Sequence, residues 1–381
     1  MDKLQQTISR IRNLDPAAVQ RAQARLDSLT KPPGSLGRLE EIARRLVMIT
    51  NAERPSVTRK VVIVMAGDHG VAEEGVSAFP QDVTPQMVLN FLHGGAAINV
   101  LARHAGARLI VVDIGVKGDL PPLAPPPSMS FPSPSFSSGF PSASADVEFF
   151  IRKIAPGTRN LAREAAMTRP QALRALQTGI EIVEEEIARG AELIATGDMG
   201  IANTTASSAI VAAMTGRPPE EVTGRGTGVD DTGLARKVAV IQRALELHGL
   251  MPDASRPTLD TLDVLAKVGG FEIGGLAGVI LGAAAARRPV VLDGFISGAA
   301  ALIAAGLAPQ AAPYCFAAHR SVERGHNAAL ERLGLNPVLD LDLRLGEGTG
   351  AALAMHMIEA GAKIYSEMAT FGEAGVSGKS E

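Results

Sequence analysis

One acidic residue, Glu347, lies between two glycines and immediately precedes an alanine-rich apolar stretch. Flanking glycines allow the backbone to turn sharply and allow a ligand to come close. The apolar stretch predicts a helix, whose first N–H groups carry a partial positive charge. Two interpretations are open here. Glu347 presents a carboxylate to a ligand, or it only favours the first turn of the helix.

Four aspartates follow short apolar runs that are typical of buried parallel strands. The runs occupy 61–66, 109–112, 192–196 and 289–292, and the aspartates that follow them are Asp68, Asp113, Asp198 and Asp293. Parallel strands end at one edge of a sheet, and ligands bind at that edge in open α/β folds. We therefore expect the four carboxylates near one crevice, although capping a helix is the commoner role of a single aspartate in a turn.

The stretch after the third run combines Gly200 with Asn203, Thr204 and Thr205. Asparagine and threonine are good helix N-caps, and the backbone N–H groups here would suit an anion. The P-loop pattern is absent because no Gly-Lys-Ser/Thr occurs. An anion site and an ordinary capped helix explain this stretch equally well.

A second glycine-rich loop at 224–231 contains Gly226 and precedes a helix that carries Lys237. Its spacing differs from the dinucleotide fingerprint, and no buried strand directly precedes it, so a Rossmann cofactor site is disfavoured. The loop amides and Lys237 are suited to contact a phosphate. The alternative is a solvated loop with a surface lysine.

The seven histidines show no metal-ligand spacing. His69 beside Asp68 keeps a metal site under consideration, although such a histidine is more often hydrogen-bonded locally. His319 is expected to open a helix near the same sheet edge. Cys315 has no obvious base beside it, and we interpret it as a small buried apolar side chain.

The composition excludes several classes of protein. A net charge of −3 with no Trp argues against a nucleic-acid partner. The N-terminus lacks an apolar signal core, and Arg287, Arg288 and Asp293 interrupt the most apolar region, so no membrane partner is expected. The single cysteine excludes an internal disulfide framework and fits a reducing, cytoplasmic compartment.

The alternation of apolar runs with helical patterns predicts an α/β fold, with an open parallel sheet and helices on both faces. One helix is expected over roughly 84–104, and Ser35 is expected to cap a helix that follows it. Residues 119–146 are rich in proline and serine, which indicates a surface or disordered insertion without chemistry.

Six motifs in a fixed order extend the interpretation. They are Lys-Pro-Pro-Gly-Ser-Leu-Gly-Arg-Leu-Glu at 31–40, Asp-His-Gly-Val at 68–71, Gly-Ile-Ala-Asn-Thr-Thr at 200–205, Lys-Val-Gly-Gly-Phe at 267–271, Leu-Asp-Gly-Phe at 292–295 and Arg-Leu-Gly-Glu-Gly-Thr-Gly at 344–350. The chain thereby resembles the nicotinate-nucleotide:dimethylbenzimidazole phosphoribosyltransferases over nearly its whole length apart from 119–146.

The resemblance implies a Rossmann-like fold and a homodimer, with no metal or separate cofactor. It implies a small helical domain formed by 1–58 together with 352–381, and an α/β domain at 59–351. The implied substrates are nicotinate mononucleotide and 5,6-dimethylbenzimidazole. The implied reaction transfers the 5-phosphoribosyl group to the base and yields nicotinate and α-ribazole 5′-phosphate.

The resemblance also implies roles for individual residues, with Glu347 as the catalytic base. Burial beside the helix would raise its pKa toward neutrality. The substrate-binding residues would be Asp198, Gly200, Asn203, Thr204, Thr205, Gly226, Lys237 and Asp293 around the nucleotide, and Phe79, Pro80, Gln86, Met87, Arg344, Leu345 and Gly346 around the base. Asp198 stands where many relatives carry Glu. Phe79 and Met87 replace smaller or polar residues of some relatives, which bears on the base that is accepted.

Two other functions fit parts of the sequence. A metal-dependent phosphohydrolase would use Asp68, His69, Asp113 and Asp293. A non-catalytic nucleotide-binding regulator would use the glycine loops alone. An unpaired buried carboxylate at Glu347 argues against a pure binding site, which gains little from such a group.

Overall fold

The computed structural model describes residues 2–118, 120, 147–251 and 259–377. Apart from residue 120, the insertion predicted at 119–146 lies outside the described residues. Within them, six parallel strands form one sheet in the order β3-β2-β1-β4-β5-β6. The strands are β1 Lys60–Gly67, β2 Ala107–Gly115, β3 Val147–Ile151, β4 Leu193–Met199, β5 Val290–Leu292 and β6 Cys315–Ala317.

Helices connect the strands and surround the sheet. They are α1 Lys3–Arg10, α2 Pro16–Ser28, α3 Arg38–Thr50, α4 Val83–Leu92, α5 Ala97–Ala105, α6 Arg169–Ala188, α7 Asn203–Thr215, α8 Pro219–Val222, α9 Asp231–Leu247, α10 Thr261–Val268, α11 Phe271–Ala285, α12 Phe295–Leu307, α13 Arg324–Leu333, α14 Thr349–Glu367 and α15 Phe371–Ala374. Short 3₁₀ turns occupy Gly70–Glu74 and Pro309–Tyr314.

The sheet is covered on both faces, which confirms the predicted fold class. Successive side chains of a strand point to opposite faces. In β1, Met65 lies against Gly275 of α11, whereas Val62 lies against Gly348 at the start of α14. These two positions differ in parity, so α11 and α14 cover opposite faces. All eight positions of β1 are buried, as expected of a central parallel strand.

Helix α11 approaches the sheet and its neighbour α6 unusually closely. A Cβ on Gly179 of α6 would lie 1.8 Å from the carbonyl oxygen of Gly275, and one on Gly278 would lie 2.0 Å from that of Leu176. Glycine at these positions therefore brings the two helix backbones into direct contact. The apolar 274–286 region is a buried helix, and no helix of the described residues is long and apolar enough to cross a membrane.

Several predicted helix boundaries are wrong. The expected helix over 84–104 is two helices, α4 and α5, separated by a turn at Gly94 and Gly95. Helix α3 begins after Gly37, whose φ of +52° is unfavourable for other residues, so Ser35 does not cap it. His319 does not open a helix, because α13 starts only at Arg324.

A smaller apolar cluster joins the two ends of the chain. It consists of Ala22, Leu26, Leu29, Ala43, Val47 and Tyr365, which belong to α2, its C-cap, α3 and α14. Leu29 also forms an antiparallel bridge with Thr370. The two chain ends therefore pack on each other, while the division into domains at 58 and 352 remains a prediction.

Candidate active site

A cavity of about 400 Å³ opens at the carboxyl end of the sheet. It is bounded by the loop after β4, the start of α4, the glycine loop before α9, the turn after β5, the segment after β6 and the turn before α14. The lining residues predicted from the sequence are Phe79, Met87, Asp198, Gly200, Asn203, Thr204, Gly226, Arg344, Leu345, Gly346 and Glu347. The sheet edge identified from the sequence is therefore the edge that carries the cavity.

Glu347 occupies a tight turn of left-handed backbone. Its φ is +64°, between +82° at Gly346 and +93° at Gly348. A left-handed conformation costs a residue with a side chain roughly 1–2 kcal/mol. Two contacts hold the turn: Asp293 accepts the Gly348 N–H at 3.2 Å, and the Glu347 backbone lies directly over Gly197. The turn places Glu347 in the lining of the cavity.

The surroundings of Glu347 favour a proton acceptor at neutral pH. Burial raises the pKa of this carboxyl, the Ile98 N–H lowers it and the nearby Asp293 raises it, with a result of about 7. The hydrogen bond from Ile98 is long, at 3.4 Å, and therefore weak. A pKa near the working pH is the condition under which a general base is most effective.

The four strand-end aspartates do not act as one group. Asp68 accepts the Lys117 N–H at 2.8 Å, Asp113 accepts the Val116 N–H at 2.9 Å, and Asp293 accepts the N–H groups of Gly348 and Ala351. Of the four, only Asp198 lines the cavity, and Asp293 lies beside it, close enough to raise the pKa of Asp198 and Glu347. Three of the aspartates satisfy nearby backbone N–H groups instead.

Asp198 is buried and accepts a hydrogen bond from the Asn203 side chain at 2.9 Å. Burial, followed by the carboxylates of Asp293 and Glu272, raises its pKa well above the ordinary value, while Asn203 lowers it. Asn203 therefore binds Asp198 and does not cap a helix. The N-cap of α7 is Ala202, in a left-handed conformation at φ +73°, and Thr205 is buried within α7, outside the cavity lining.

Lys237 is a buried cation and not a surface lysine. Its Nζ donates to Thr204 Oγ1 at 2.7 Å and to the Gly224 carbonyl at 3.3 Å. Burial lowers its pKa and Glu323 raises it, with a result of about 8. Lys237 itself lies behind the cavity lining, but Thr204 and Gly226, which line the cavity, are within its reach. This end of the cavity combines a positive charge with a hydroxyl group and a glycine backbone, which suits a phosphate.

Another part of the cavity lining, here called the apolar wall, is formed by Phe79, Val83, Met87 and Leu345. Phe79 and Leu345 remain 52% and 58% exposed. Pro80 and Gln86, which the resemblance placed at the base, are exposed residues outside this lining. A wall of this kind suits the flat face of an aromatic ring.

The residues that suggested a phosphohydrolase bind other groups of the protein. His69 is fully buried and its Nε2 lies 2.7 Å from Glu272. Asp113 lies 3.3 Å from Lys153, and Asp293 caps the start of α14. The described residues contain no group of three or more His, Cys, Asp or Glu side chains that could hold a metal ion.

Sequence reasoning missed two acids near the site. Glu323 lines the cavity beside Gly224, and a Cβ on that glycine would lie 1.9 Å from Glu323 Oε2. Glu272 is buried on α11 beneath the cavity. A single acid within a long apolar glycine-rich stretch is the signal that would have identified Glu272. His319 lines the cavity as expected, and burial lowers the pKa of its neighbour His326 to about 3.

Comparisons with known proteins agree with this geometry. A family model described as "Phosphoribosyltransferase" matches residues 11–376. The nicotinate-nucleotide–dimethylbenzimidazole phosphoribosyltransferase of Chloroflexus aggregans is 61% identical over 381 residues, which is 100% of both chains. The protein of the same name from Roseiflexus sp. is 60% identical, also over 100% of both chains. The crystal structure of CobT from Thermus thermophilus has a TM-score of 0.84 at 48% identity, covering 95% of this chain and 99% of that one.

Proposed function

This chain belongs to the family of nicotinate-nucleotide–dimethylbenzimidazole phosphoribosyltransferases, and from that premise we propose that Glu347 is the general base of its reaction. The enzyme transfers the 5-phosphoribosyl group from nicotinate mononucleotide to 5,6-dimethylbenzimidazole. The products are nicotinate and α-ribazole 5′-phosphate. The observation that carries the assignment is a buried carboxyl, on a residue of the cavity lining, whose pKa is about 7.

The chemistry requires one proton acceptor. A ring nitrogen of the base attacks the anomeric carbon of the ribose and a new C–N bond forms. The bond to nicotinate breaks, and its electron pair returns to the pyridinium nitrogen, so this leaving group needs no proton. The attacking base then loses its N–H proton, which Glu347 accepts.

We assign the two substrates to different parts of the cavity. We assign the phosphate and ribose to the end formed by Gly200, Thr204 and Gly226, with the buried charge of Lys237 behind them. The dimethylbenzimidazole ring is assigned to the apolar wall of Phe79, Met87 and Leu345. Glu347 and Leu345 belong to the same turn, which supports our assignment of the carboxyl to a position beside the ring.

The remaining predicted residues are assigned by their contacts. Asp198 and Asn203 form a hydrogen-bonded pair at the cavity floor, and Arg344 and Gly346 flank Leu345. Asp293 holds the Glu347 turn through its hydrogen bond to Gly348, so we propose a supporting role for it. Thr205, Pro80 and Gln86 lie outside the lining and receive no substrate contact in this proposal.

The test is a product assay with nicotinate mononucleotide and dimethylbenzimidazole. We expect nicotinate release that depends on the base, together with α-ribazole 5′-phosphate identified by mass spectrometry. Glu347→Gln should lower kcat about 10²- to 10⁴-fold, the usual contribution of a general base. Glu164→Gln, which alters an exposed carboxyl in the loop between β3 and α6, is the matched control. Turnover of Glu347→Gln within a few-fold of the unaltered enzyme would refute the assignment of the base.

We further propose that the enzyme is a homodimer in the cytoplasm. The support for the dimer is the family resemblance and the exposed apolar side chains of Phe79 and Leu345 at the cavity. The support for the compartment is the single buried cysteine, which has no disulfide partner.

A further inference from the structure

Two motifs far apart in the sequence meet beneath the cavity. His69 follows β1, and Glu272 lies in the first turn of α11. The His69 Nε2 and the Glu272 Oε1 are 2.7 Å apart, and both residues are 0% exposed. The transfer chemistry uses neither side chain. A buried ionisable pair nevertheless calls for a structural or functional explanation, because the desolvation of two charged groups is costly in free energy.

The backbone is shaped around this pair. A Cβ on Gly270 would lie 2.4 Å from His69 Cε1 and 2.5 Å from Glu272 Oε2. A Cβ on Gly67 would lie 3.2 Å from the same carboxylate oxygen. Glycine on two sides therefore leaves room for an imidazole and a carboxylate where larger residues would displace them. The consecutive glycines of the 267–271 motif are explained in part by this requirement.

The Glu272 carboxylate favours the charged form of His69. Burial by itself would lower the pKa of His69, but the Glu272 carboxylate, with a smaller contribution from Asp68, outweighs burial and raises it. An imidazolium beside a carboxylate has a net charge near zero. Removing Glu272 would withdraw the group that favours the imidazolium, and removing His69 would leave a buried carboxylate without its partner, which is destabilising.

The turn at 67–70 that contains His69 connects the two sides of the cavity. The His69 carbonyl accepts a hydrogen bond from the Gln81 side chain at 2.7 Å, next to the apolar wall. Thr84 of α4 lies close enough to Asp68 to lower the pKa of its carboxyl, and Thr84 Oγ1 accepts the Ile201 N–H at 3.1 Å. Gly200 lies so close that a Cβ there would be 2.2 Å from the Gly67 carbonyl oxygen. The position of this turn therefore sets the position of the apolar wall relative to the loop after β4, which contains Gly200.

We propose that His69 and Glu272 are positioning residues for the transfer reaction, whose buried ion pair fixes the 67–70 turn and so aligns the base with the ribose. This inference rests on the proposed function. Neither side chain lines the cavity, so the pair acts through the backbone and through Gln81 and Thr84. Attack on the anomeric carbon depends on alignment, and a displacement of about 1 Å can lower a rate on the order of 100-fold.

The test is a double-mutant cycle of Glu272→Gln, His69→Gln and the double variant in the full-length enzyme. Because the residues act as one unit, each single variant and the double variant should lose kcat to the same extent, on the order of 100-fold. The dissociation constant of nicotinate mononucleotide, measured by calorimetry, should stay within about threefold, because Thr204 and Lys237 keep the phosphate end intact. His248→Gln, which alters a half-buried histidine bonded to the Leu161 carbonyl away from the cavity, is the control and should keep full kcat.

A readout independent of turnover separates this inference from the proposed function. In ¹⁵N-histidine NMR titrations, the pKa of His69 should be higher in the unaltered enzyme than in Glu272→Gln, because the carboxylate favours the imidazolium. Losses that multiply in the double variant, a kcat of the single variants within about twofold of the unaltered enzyme, or a His69 pKa that Glu272→Gln leaves unchanged would each overturn the positioning role. A His69 pKa that falls in Glu272→Gln, in an enzyme that makes no α-ribazole 5′-phosphate, would instead refute the transfer reaction on which the inference rests.

Discussion

At the scale of single residues, Glu347 combines two unfavourable features that are useful together. Its backbone is left-handed at φ +64°, and its carboxyl is buried without a strong hydrogen-bond donor. Strain of this kind persists only where surrounding structure enforces it, and it concentrates at functional sites. The same isolation that destabilises the ionised carboxylate makes it a stronger base.

The pH dependence of the reaction follows from the pKa of Glu347. Only the ionised carboxylate accepts a proton, and its pKa is raised to about 7. We therefore expect kcat/KM for nicotinate mononucleotide to increase as the pH rises through about 7 and to level off above it. Below that pH the value should fall about tenfold per pH unit. The measurement is a pH–rate profile from initial rates of nicotinate release. A flat profile between about pH 5 and 8 would contradict the assignment.

The apolar wall predicts a preference for methylated bases. Met87→Gln would replace an apolar contact with an amide beside the ring that we place there. Each buried methyl group is worth about 0.8 kcal/mol, so the two methyl groups of dimethylbenzimidazole account for at most a ~15-fold preference. We expect Met87→Gln to reduce the kcat/KM ratio of dimethylbenzimidazole to benzimidazole several-fold. The ratio comes from competition between the two bases, and an unchanged ratio would place the methyl groups elsewhere.

Residue types alone predicted part of this site. Glu347 and the glycine loops were recognisable because a charged group beside glycines is chemically conspicuous. The different roles of the aspartates were not predictable from the sequence. A shift of one residue in position decides whether a carboxylate reaches the cavity, as that of Asp198 does, or binds backbone N–H groups, as that of Asp293 does. The Glu272–His69 pair was missed because its members are 203 positions apart and only the fold brings them together.

At the scale of elements, the site depends on how closely β4 approaches the start of α14. A Cβ on Gly197 would lie 2.4 Å from the Glu347 carbonyl oxygen and 2.9 Å from the Gly348 nitrogen. Both contacts are to backbone, so no side-chain rotation can relieve them. The strand therefore acts as a support against which the Glu347 turn is pressed.

Gly197→Ala tests this support. We expect the turn to shift, with a loss of about 1–3 kcal/mol of stability and a fall in kcat on the order of 100-fold. Thermal unfolding and initial rates on the same preparations measure the two effects. Gly372→Ala, in α15 where a Cβ would meet nothing within 4 Å, is the control and should change neither. Full activity in Gly197→Ala would show that the turn is not held from this side.

The secondary structure was predictable where burial dominates. Runs such as 61–66 are apolar at every position, and their strands were identified correctly. The strands β3 and β6 and the break between α4 and α5 were not identified. The five residues of β3 directly follow the proline- and serine-rich stretch, the three residues of β6 carry no periodic pattern, and two adjacent glycines do not by themselves end a helix. The Ser35 cap was wrong for a related reason. Gly37, with its positive φ, determines where α3 starts.

At the scale of the whole molecule, the two chain ends pack on each other next to the sheet. Arg38, in the first motif, donates to the carbonyl of Asn336 at 3.0 Å and also binds that of Pro337. Leu339, two residues further on, forms a bridge with the cavity residue His319. The N-terminal motif is thereby connected to the segment that leads into the Glu347 turn. This connection gives the 31–40 motif a structural role, because it contacts the segment that leads to Glu347.

The exposed wall of the cavity leads to the last prediction. Phe79 and Leu345 remain about half exposed in one chain, although an activated ribose must be protected from attack by water. We expect a second copy of the chain to cover this wall, so that the enzyme elutes at about twice its 39.5 kDa in size-exclusion chromatography with light scattering. Leu345→Lys should weaken the dimer and increase hydrolysis of nicotinate mononucleotide relative to transfer. Arg332→Glu, an exposed change on α13 outside the cavity, serves as the control for added charge. A monomer with full transfer activity and no hydrolysis would show that a single chain excludes water unaided.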